Sequence, residues 1–245
     1  MKQIFVILLG TFYFAGSTIA QKESIVSKDN NVARFNVSAL VFRNISVEYE
    51  RKLDQRHSLT INFHTIPYGA LPFVSYAQKL IDKVYVDLAL ARIGSVGGTA
   101  SYRFYSAKKG VFNGFYFAPM VNYTSYKTTL PIQYNNGKPG LFNGNINAIT
   151  GGIQAGVQFK ITGPLYLDLW IIGPSYGVSS GSLDFSGPLS VNEQAILMAE
   201  IEDLKGSLPF YVISSYKISS TGASISEQGP WAGLRGLGVN IGFRF

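Results

Sequence analysis

The sequence predicts an all-β protein: a closed, antiparallel transmembrane β-barrel of about eight strands, with ten as the alternative count. Two observations lead to this prediction. Long segments alternate strictly between apolar residues and polar residues or glycine, as strands with two different environments do. The composition also suits many strands with an apolar outer surface, because only 14% of the 245 residues are charged, 14% are aromatic and 26 are glycine.

The alternation is longest between Ile149 and Ile161, where apolar residues or glycine occupy every odd position. A strand needs roughly 9–11 residues to cross a bilayer at a tilt, more than the roughly 5–6 residues of a typical soluble strand. Hydrocarbon cannot satisfy backbone hydrogen bonds, so strands that cross it must close into a ring without edges. The chain ends on the same pattern, and five residues there are expected to face lipid: Leu237, Val239, Ile241, Phe243 and Phe245.

Eight alternating segments are predicted to form the barrel wall. They are 44–52, 58–65, 84–92, 98–106, 114–126, 149–161, 165–173 and 236–245. Segment 33–42 also alternates, and either extends the first of these strands or forms its own. Pro119 lacks a backbone donor, so a bulge or local break is expected there. The segment 132–145, rich in glycine and asparagine, is predicted to be a mobile loop.

One segment departs from the strand pattern. Ser190 and Glu193 have the spacing of a capping box, an apolar stripe follows, and Gly206 ends the pattern. We expect a helix of about four turns. With a possible hairpin after it, this helix is predicted to form an insertion over 177–230, before the last strand. If 211–218 is instead a wall strand, the strand count becomes ten.

The N-terminus has the layout of a secretory signal peptide: Lys2, an apolar stretch over 4–14, and small residues before Gln21. We predict cleavage after Ala20, so that 1–20 is the signal peptide and 21–245 a single outer-membrane barrel domain. The alternative is a buried N-terminal strand or helix. The sequence contains no cysteine, so neither a lipid-bearing thiol nor a disulfide is expected.

Several charged residues fall on the face predicted to point inward. They are Glu48, Glu50, Arg103, Asp168 and Arg244, with Lys52 and Lys160 in addition. A ring of about eight strands is filled by side chains and leaves no wide pore. Because burial of an unpaired charge is costly, we hypothesise that Glu48 and Glu50 pair with Arg103 or Arg244. The alternative places these charges at the wet mouths of the barrel.

Four sequence elements besides the N-terminal leader carry a family resemblance. They are YER at 49–51, SYRFY at 101–105, GFYFAP at 114–119 and GPWAGLRGLGVNIGFRF at 229–245. Through them the chain resembles an uncharacterised family of small outer-membrane β-barrel proteins of Gram-negative bacteria, similar in architecture to the outer-membrane protein A and X barrels. The resemblance implies a location in the cell outer membrane and insertion by the barrel-assembly machinery. It assigns the assembly signal to the terminal strand: Val239, Ile241, Phe243 and Phe245.

The expected function is that of an integral outer-membrane protein with a structural or interaction role. We expect contact with outer-membrane lipid, a possible envelope or extracellular partner bound through the loops, and a monomer. The net charge is +7, but the basic residues are scattered and do not predict nucleic-acid binding. With two histidines and no cysteine, no catalytic, cofactor or metal site is assigned.

Two alternative functions remain at this point. The first is a lipid-modifying enzyme, with His64 acting with Asp168 across the interior. The other histidine, His57, is a poor partner for Ser58, because adjacent strand residues point to opposite faces. The second alternative is a soluble lipocalin-like carrier, whose barrel would hold its apolar residues inside.

Overall fold

The computed structural model describes residues 30–80, 88–106, 110–134, 138–207 and 213–245. The predicted signal peptide, 1–20, lies outside the described residues. Nearly all of the described chain is antiparallel β-structure, and eight strands close into a ring. The all-β barrel prediction is therefore confirmed, with eight strands in the ring.

The bounds of the elements are as follows. The strands are β1 (Asn31–Asn36), β2 (Ile45–Lys52), β3 (His57–Ala70), β4 (Arg92–Tyr105), β5 (Gly114–Tyr134), β6 (Lys138–Thr162), β7 (Leu165–Ser186), β8 (Ile213–Ser219), β9 (Gly222–Arg235) and β10 (Gly238–Arg244). The α-helices are α1 (Val74–Ala77) and α2 (Val191–Ser207), and there are 3-10 turns at Ser38–Phe42, Gln78–Leu80 and Leu88–Leu90. Neither α-helix in the described part of the chain has the length and apolarity needed to cross a membrane.

The ring closes through the two ends of the chain. Strands β1 to β7 pair in sequence order, and β10 lies between β7 and β1. The last residue continues this pairing, because the Phe245 N–H donates to the Asn31 carbonyl at 2.9 Å and the Phe245 carbonyl accepts from the Asn31 N–H at 3.0 Å. The C-terminus is therefore part of the wall and not a frayed end.

The eight strands of the ring are not the eight that the sequence predicts. Segment 31–36 forms its own strand, β1, whereas the strand predicted over 84–92 is wrong where the structure describes it. Leu88–Leu90 is a 3-10 turn, and residues 81–87 lie outside the described ranges. Leu88 is buried, and its N–H donates to the side-chain oxygen of Gln78 at 2.7 Å. Leu88 thus serves the packing of a loop, and periodicity alone does not distinguish such a residue from one in a strand.

The eighth wall position is shared by two strands. Strand β10 pairs with β7 from Leu165 to Trp170, and β9 pairs with β7 from Gly173 onward. Between these stretches β7 bulges, so that Ile171 and Ile172 are both exposed. The extra residue of the bulge reverses which side chains of β7 point inward beyond it. The break between β9 and β10 lies opposite this bulge.

The local break expected at Pro119 occurs on one side of β5 only. Pro119 pairs with Ile153 of β6 in an unbroken ladder, whereas on the β4 side the pairing omits Ala118 and Pro119. Proline has no backbone N–H to donate to a neighbouring strand. It therefore fits at a position where the strand on one side forms no hydrogen bond with it.

Strands β5, β6, β7 and β9 continue past the ring as an extension of the sheet, with β8 at its edge. The mobile loop predicted over 132–145 is therefore wrong, because β5 reaches Tyr134 and β6 begins at Lys138. Likewise, β7 continues to Ser186, beyond residue 177 where the insertion was expected to begin. The predicted hairpin is present as β8 and β9, but β8 lies outside the ring.

The predicted helix is α2, and it begins at the expected capping box. The Ser190 N–H donates to Glu193 Oε2 at 2.7 Å, and the Glu193 N–H reaches Ser190 Oγ at 3.4 Å. Lys138 Nζ of β6 lies 3.1 Å from the same glutamate and ties the helix to the extension. A cavity of about 410 Å³ between them is lined mainly by apolar side chains, including Phe142, Leu183 and Leu197.

Candidate functional site in the ring interior

The ring exposes apolar side chains on its outer face and buries polar ones inside. On β3, Ile61 is 59% exposed, whereas its neighbours Thr60 and Asn62 are 1% and 2% exposed. The same alternation holds on the strands around the ring. The exposed apolar residues include Val47, Leu59, Phe63, Val96, Phe115, Phe117, Val121, Ile149, Ile153, Phe159, Ile161 and Leu165.

The predicted assembly signal lies on this outer face. Val239, Ile241, Phe243 and Phe245 are exposed, while the intervening Asn240 is buried. Asn240 Nδ2 donates to the Asp168 carbonyl at 3.1 Å inside the ring. The faces of the last strand follow the sequence pattern, and the role of these four residues in assembly stays a prediction.

Five charged residues meet inside the ring and form what we call the charge cluster. They are Arg34, Glu48, Glu50, Arg103 and Asp168, and all are buried. They come from β1, β2, β4 and β7, nearer the end of the ring where the chain termini lie. Four of them are among the predicted interior charges. The fifth, Arg34, was missed, although its polar position between Ala33 and Phe35 is a signal of an inward face.

Each arginine of the charge cluster contacts all three carboxylates. Arg103 Nη2 lies 2.6 Å from Glu48 Oε1, and its Nη1 lies 3.2 Å from Glu50 and 3.1 Å from Asp168. Arg34 lies 2.8 Å from Glu48 and 3.5 Å from Asp168, and also pairs with Glu50. Because no carboxylate depends on a single cation, the desolvation cost of this burial is offset by shared pairing.

Neutral groups add hydrogen bonds to the charge cluster. Tyr116 donates its hydroxyl proton to Asp168 Oδ1 at 2.8 Å, and the Tyr105 hydroxyl lies 2.7 Å from Glu50 Oε1. Ser58 also donates to Glu50, and Arg34 Nη2 donates to Gln158 Oε1 at 2.9 Å. The Arg103 guanidinium stacks over the Tyr116 ring at 4.2 Å. Such a network is stable only because nearly every member has a partner.

The pairing hypothesis holds for Arg103 and is corrected for Arg244. Arg244 is half-buried, donates to the Tyr166 hydroxyl at 2.9 Å and lies over the Phe112 ring at 5.2 Å. The ion pairs of Glu48 and Glu50 go instead to Arg103 and Arg34. Gly242 leaves space for the Arg34 side chain, because a Cβ at position 242 would lie 3.0 Å from Arg34 Cγ.

The other two charges expected inside lie elsewhere. Lys160 is exposed, and Lys52 is half-buried at the end of β2. Both residues are near strand ends, where alternation no longer decides which side chains lie in the packed interior. The wet-mouth alternative therefore applies to these lysines and not to the charge cluster.

His64 lies inside the ring but apart from Asp168. Its Nε2 is 3.1 Å from Thr124 Oγ1 and its Nδ1 is 3.3 Å from Asn62 Oδ1. Gly97 leaves room for the imidazole, because a Cβ there would lie 2.6 Å from Nε2. Asp168 belongs to the charge cluster, so the structure does not assemble the His64–Asp168 couple.

His57 and Ser58 face opposite sides of the wall, as strand geometry requires. His57 Nδ1 lies 2.6 Å from Asp54 Oδ2 in the turn between β2 and β3, whereas Ser58 bonds to Glu50 inside. Slight burial opposes ionisation of Asp54, but hydrogen bonds from the Arg56 N–H and from His57 outweigh it. They hold the pKa of the Asp54 carboxyl below its usual value. This pair therefore stabilises a turn and does not activate the serine.

A second interior feature is an open cavity of about 490 Å³, which we call the mouth cavity. Its walls include the 3-10 turn at Ser38–Phe42, His64, Trp170 and Arg235. It opens at the end of the ring opposite the chain termini. At that end lie the connections 37–44, 71–91 and 187–221, of which the last two are longer than any connection at the terminal end, where the strands are joined by 53–56, 106–113 and 163–164.

No protein-family model, curated protein or solved structure matches this chain. No group of three or more His, Asp or Glu side chains within the described ranges is arranged to hold a metal ion. What the ring does is therefore judged from its own two faces and from the two features of its interior.

Proposed function

We propose that this chain is an integral outer-membrane β-barrel protein with a structural or interaction role and no wide pore. One observation carries the proposal: the ring turns large apolar side chains outward and buries five charged ones. In water, this arrangement would cost free energy on both faces, because apolar area stays hydrated and charges are desolvated. In a bilayer the outer face lies against hydrocarbon, and this cost on the outside disappears.

The dimensions of the wall support a membrane location. Five of the eight ring strands are long enough to cross a bilayer, since β3 and β4 have 14 residues each and β5, β6 and β7 have 21 to 25, whereas β1, β2 and β10 have 6 to 8. A tilted transmembrane strand needs roughly 9–11 residues. The remaining length of β5, β6 and β7 belongs to the extension with α2, which would stand above the membrane surface and offer a face for an envelope or extracellular partner.

The connections give the proposed orientation. Outer-membrane barrels have short turns on the periplasmic side and longer loops on the outside. The short turns 53–56 and 163–164 lie at the same end as Asn31 and Phe245. We therefore place both chain termini in the periplasm, and the mouth cavity and the extension on the outer side.

The charge cluster supports a ring without a wide pore. Arg103 of β4 reaches Asp168 of β7, and Arg34 of β1 reaches the same carboxylate. These contacts cross the ring, and Tyr105, Tyr116 and Gln158 fill the space around them. Eight-stranded rings are narrow enough for side chains to occlude them in this way.

The two alternatives lack a supporting observation. A lipocalin-like carrier needs an apolar interior, and this ring has its faces reversed. A lipid-modifying enzyme of the kind considered needs a histidine beside a nucleophile or an orienting carboxylate, and the contacts of His64 and His57 are those of wall and turn residues. The proposed role is therefore non-enzymatic.

The experiment uses single-cysteine variants, which the cysteine-free chain allows without a background. Ile61→Cys, on the outer face, is labelled with an environment-sensitive fluorophore and reconstituted in vesicles with brominated acyl chains. We expect the lipid to quench this label and dissolved iodide to leave it unquenched. Ser215→Cys, exposed on β8 of the extension, is the control and should show the opposite response. Equal iodide quenching at both sites would refute the membrane location.

A further inference from the structure

The mouth cavity has an unusual charge composition. Of the described residues that line it, Arg235 is the only one with a permanent charge, and none is Asp or Glu. Neutral polar side chains make up much of the remaining wall, among them Asn36, Asn62, Asn122 and Thr124. The cavity therefore presents a cation and hydrogen-bonding groups without a carboxylate of its own.

Arg235 lacks the ion pairs that the other interior arginines make. Its Nη1 donates to Gln154 Oε1 at 3.2 Å, and its Nη2 donates to Thr99 Oγ1 at 3.0 Å. Both acceptors are neutral, and no described carboxylate forms an ion pair with it, whereas Arg34 and Arg103 contact three each. A guanidinium has five N–H donors in a planar fork, so Arg235 keeps donors for a further acceptor.

The fold holds this arginine in place. Arg235 is the last residue of β9, directly before the break that separates β9 from β10. Its guanidinium lies over the Trp170 ring at 4.4 Å, and Trp170 is the last residue of β7 before the bulge. The bulge and the break thus bring a cation and an aromatic face together at the floor of the mouth cavity.

Two residues of the cavity wall, Trp170 and Asn44, carry buried polar atoms with unmet hydrogen bonds. Trp170 is 5% exposed, yet its buried indole Nε1–H has no acceptor among the described residues. Asn44 Oδ1 is also buried, and no group in the described part of the chain donates to it. Buried polar atoms without partners are rare in native structures and call for a ligand, an ion or water to satisfy them.

The rest of the lining of the mouth cavity suits the apolar part of a ligand. Phe42, Ile66, Met120 and Leu234 line the mouth cavity together with the Trp170 ring. Its volume of about 490 Å³ lies within the roughly 300–1,000 Å³ of small-molecule sites, which are largely apolar with a few placed polar groups. The chemistry is that of a site for a molecule with one anionic group and an apolar remainder.

We propose that the mouth cavity binds a small organic anion, with its carboxylate or phosphate group on Arg235 and its apolar part against Trp170 and Phe42. This inference rests on the cavity alone and does not depend on the membrane location. A free acid from the surrounding water and an acidic lipid from a membrane share this chemistry, and the experiment separates the two sources.

The test uses the refolded full chain with Trp231→Phe, which leaves Trp170 as its only tryptophan. Fluorescence titrations in phosphatidylcholine vesicles compare hexanoate with hexanol, its neutral counterpart of equal chain length. We expect hexanoate to bind at least tenfold more tightly than hexanol. Arg235→Gln should lose at least tenfold of the hexanoate affinity, whereas Arg92→Gln, which removes an exposed arginine outside the cavity, should leave it unchanged.

A second arm places palmitate or hexadecanol in the vesicle membrane. A response to palmitate without one to hexanoate assigns the anion to a membrane lipid, and a response to hexanoate assigns it to a free acid. Equal binding of the acids and the alcohols, no response to either acid, or unchanged affinity in a folded Arg235→Gln would overturn the proposal. If that variant fails to fold, the preference of the unmodified site for acid over alcohol decides.

Discussion

Arg103 of β4 and Asp168 of β7 form an ion pair across the interior of the ring, with Nη1 and Oδ2 at 3.1 Å. They lie 65 positions apart in the sequence and on strands that do not pair with each other. The contact therefore requires the sheet to curl far enough for β4 and β7 to face each other across the interior. Since Arg34 of β1 reaches the same carboxylate, the charge cluster links the first strand to the wall that closes against it.

Removal of one cation from the charge cluster should strongly destabilise the protein. Arg103→Met leaves Glu48, Glu50 and Asp168 with Arg34 as their only arginine, so burial of excess negative charge should cost roughly 3–5 kcal/mol. The measurement is the free energy of unfolding in urea from vesicles, followed by tryptophan fluorescence. Arg51→Met removes an exposed arginine of β2 and should cost less than about 0.5 kcal/mol. Equal small losses for both variants would show that the ion pairs of the charge cluster contribute little to stability.

The two arginines that the sequence suggests as partners of Glu48 should behave differently in double-mutant cycles. Arg103→Met combined with Glu48→Gln should show a coupling free energy of about 1–3 kcal/mol, because Nη2 and Oε1 are 2.6 Å apart. Arg244→Met combined with Glu48→Gln should be additive within about 0.5 kcal/mol, because Arg244 bonds to Tyr166. The cycles are measured as unfolding free energies under one set of conditions. A coupling of similar size in both cycles would contradict the assignment of partners.

A charged residue introduced on the outer face should destabilise the protein more in the middle of the membrane than near its surface. Ile61→Arg places a cation in the middle of the apolar face and should lower the folding free energy in vesicles by roughly 2–4 kcal/mol. Ile161 is a matched control, since it is 56% exposed against 59% for Ile61 but lies next to the turn at 163–164. Ile161→Arg should cost roughly 0–1 kcal/mol. If the outer face were in water, both substitutions would be nearly neutral, and that result would contradict the proposed location.

Deletion of Phe245 should impair membrane assembly. The residue is exposed on the outer face and exchanges two backbone hydrogen bonds with Asn31, so its loss removes the final pair between β10 and β1. The measurement is the fraction of folded protein in isolated outer membranes, scored by its heat-modifiable migration on gels. Phe245→Ala retains the two backbone hydrogen bonds and removes only the aromatic ring. It therefore separates the effect of the hydrogen bonds from that of the ring. Phe115→Ala removes another exposed aromatic ring, at the start of β5, and should assemble normally. Normal assembly of the deletion would refute the terminal signal.

The sequence predicted the class of fold and the faces of most wall strands, because a side-chain period of two is a local property. The last strand shows this best: Val239, Ile241 and Phe243 are outside and Asn240 is inside, as alternation requires. The capping box of α2 is local as well, since Ser190 and Glu193 lie within one turn of each other. Leu88 and Ala91 show the limit, because both are buried in a 3-10 turn and directly after it, where periodicity predicts a strand.

The sequence by itself determined that the chain forms an apolar-outside ring, and it placed Glu48, Glu50, Arg103 and Asp168 on the inner face. Tertiary structure decided which charges meet, bringing in Arg34 and leaving Arg244 with Tyr166. It also created the mouth cavity, where Arg235 and Trp170 meet although 65 residues separate them. The physical reason is that alternation fixes only the face of a residue. Ring closure, the bulge in β7 and the break before β10 set its height and its neighbours.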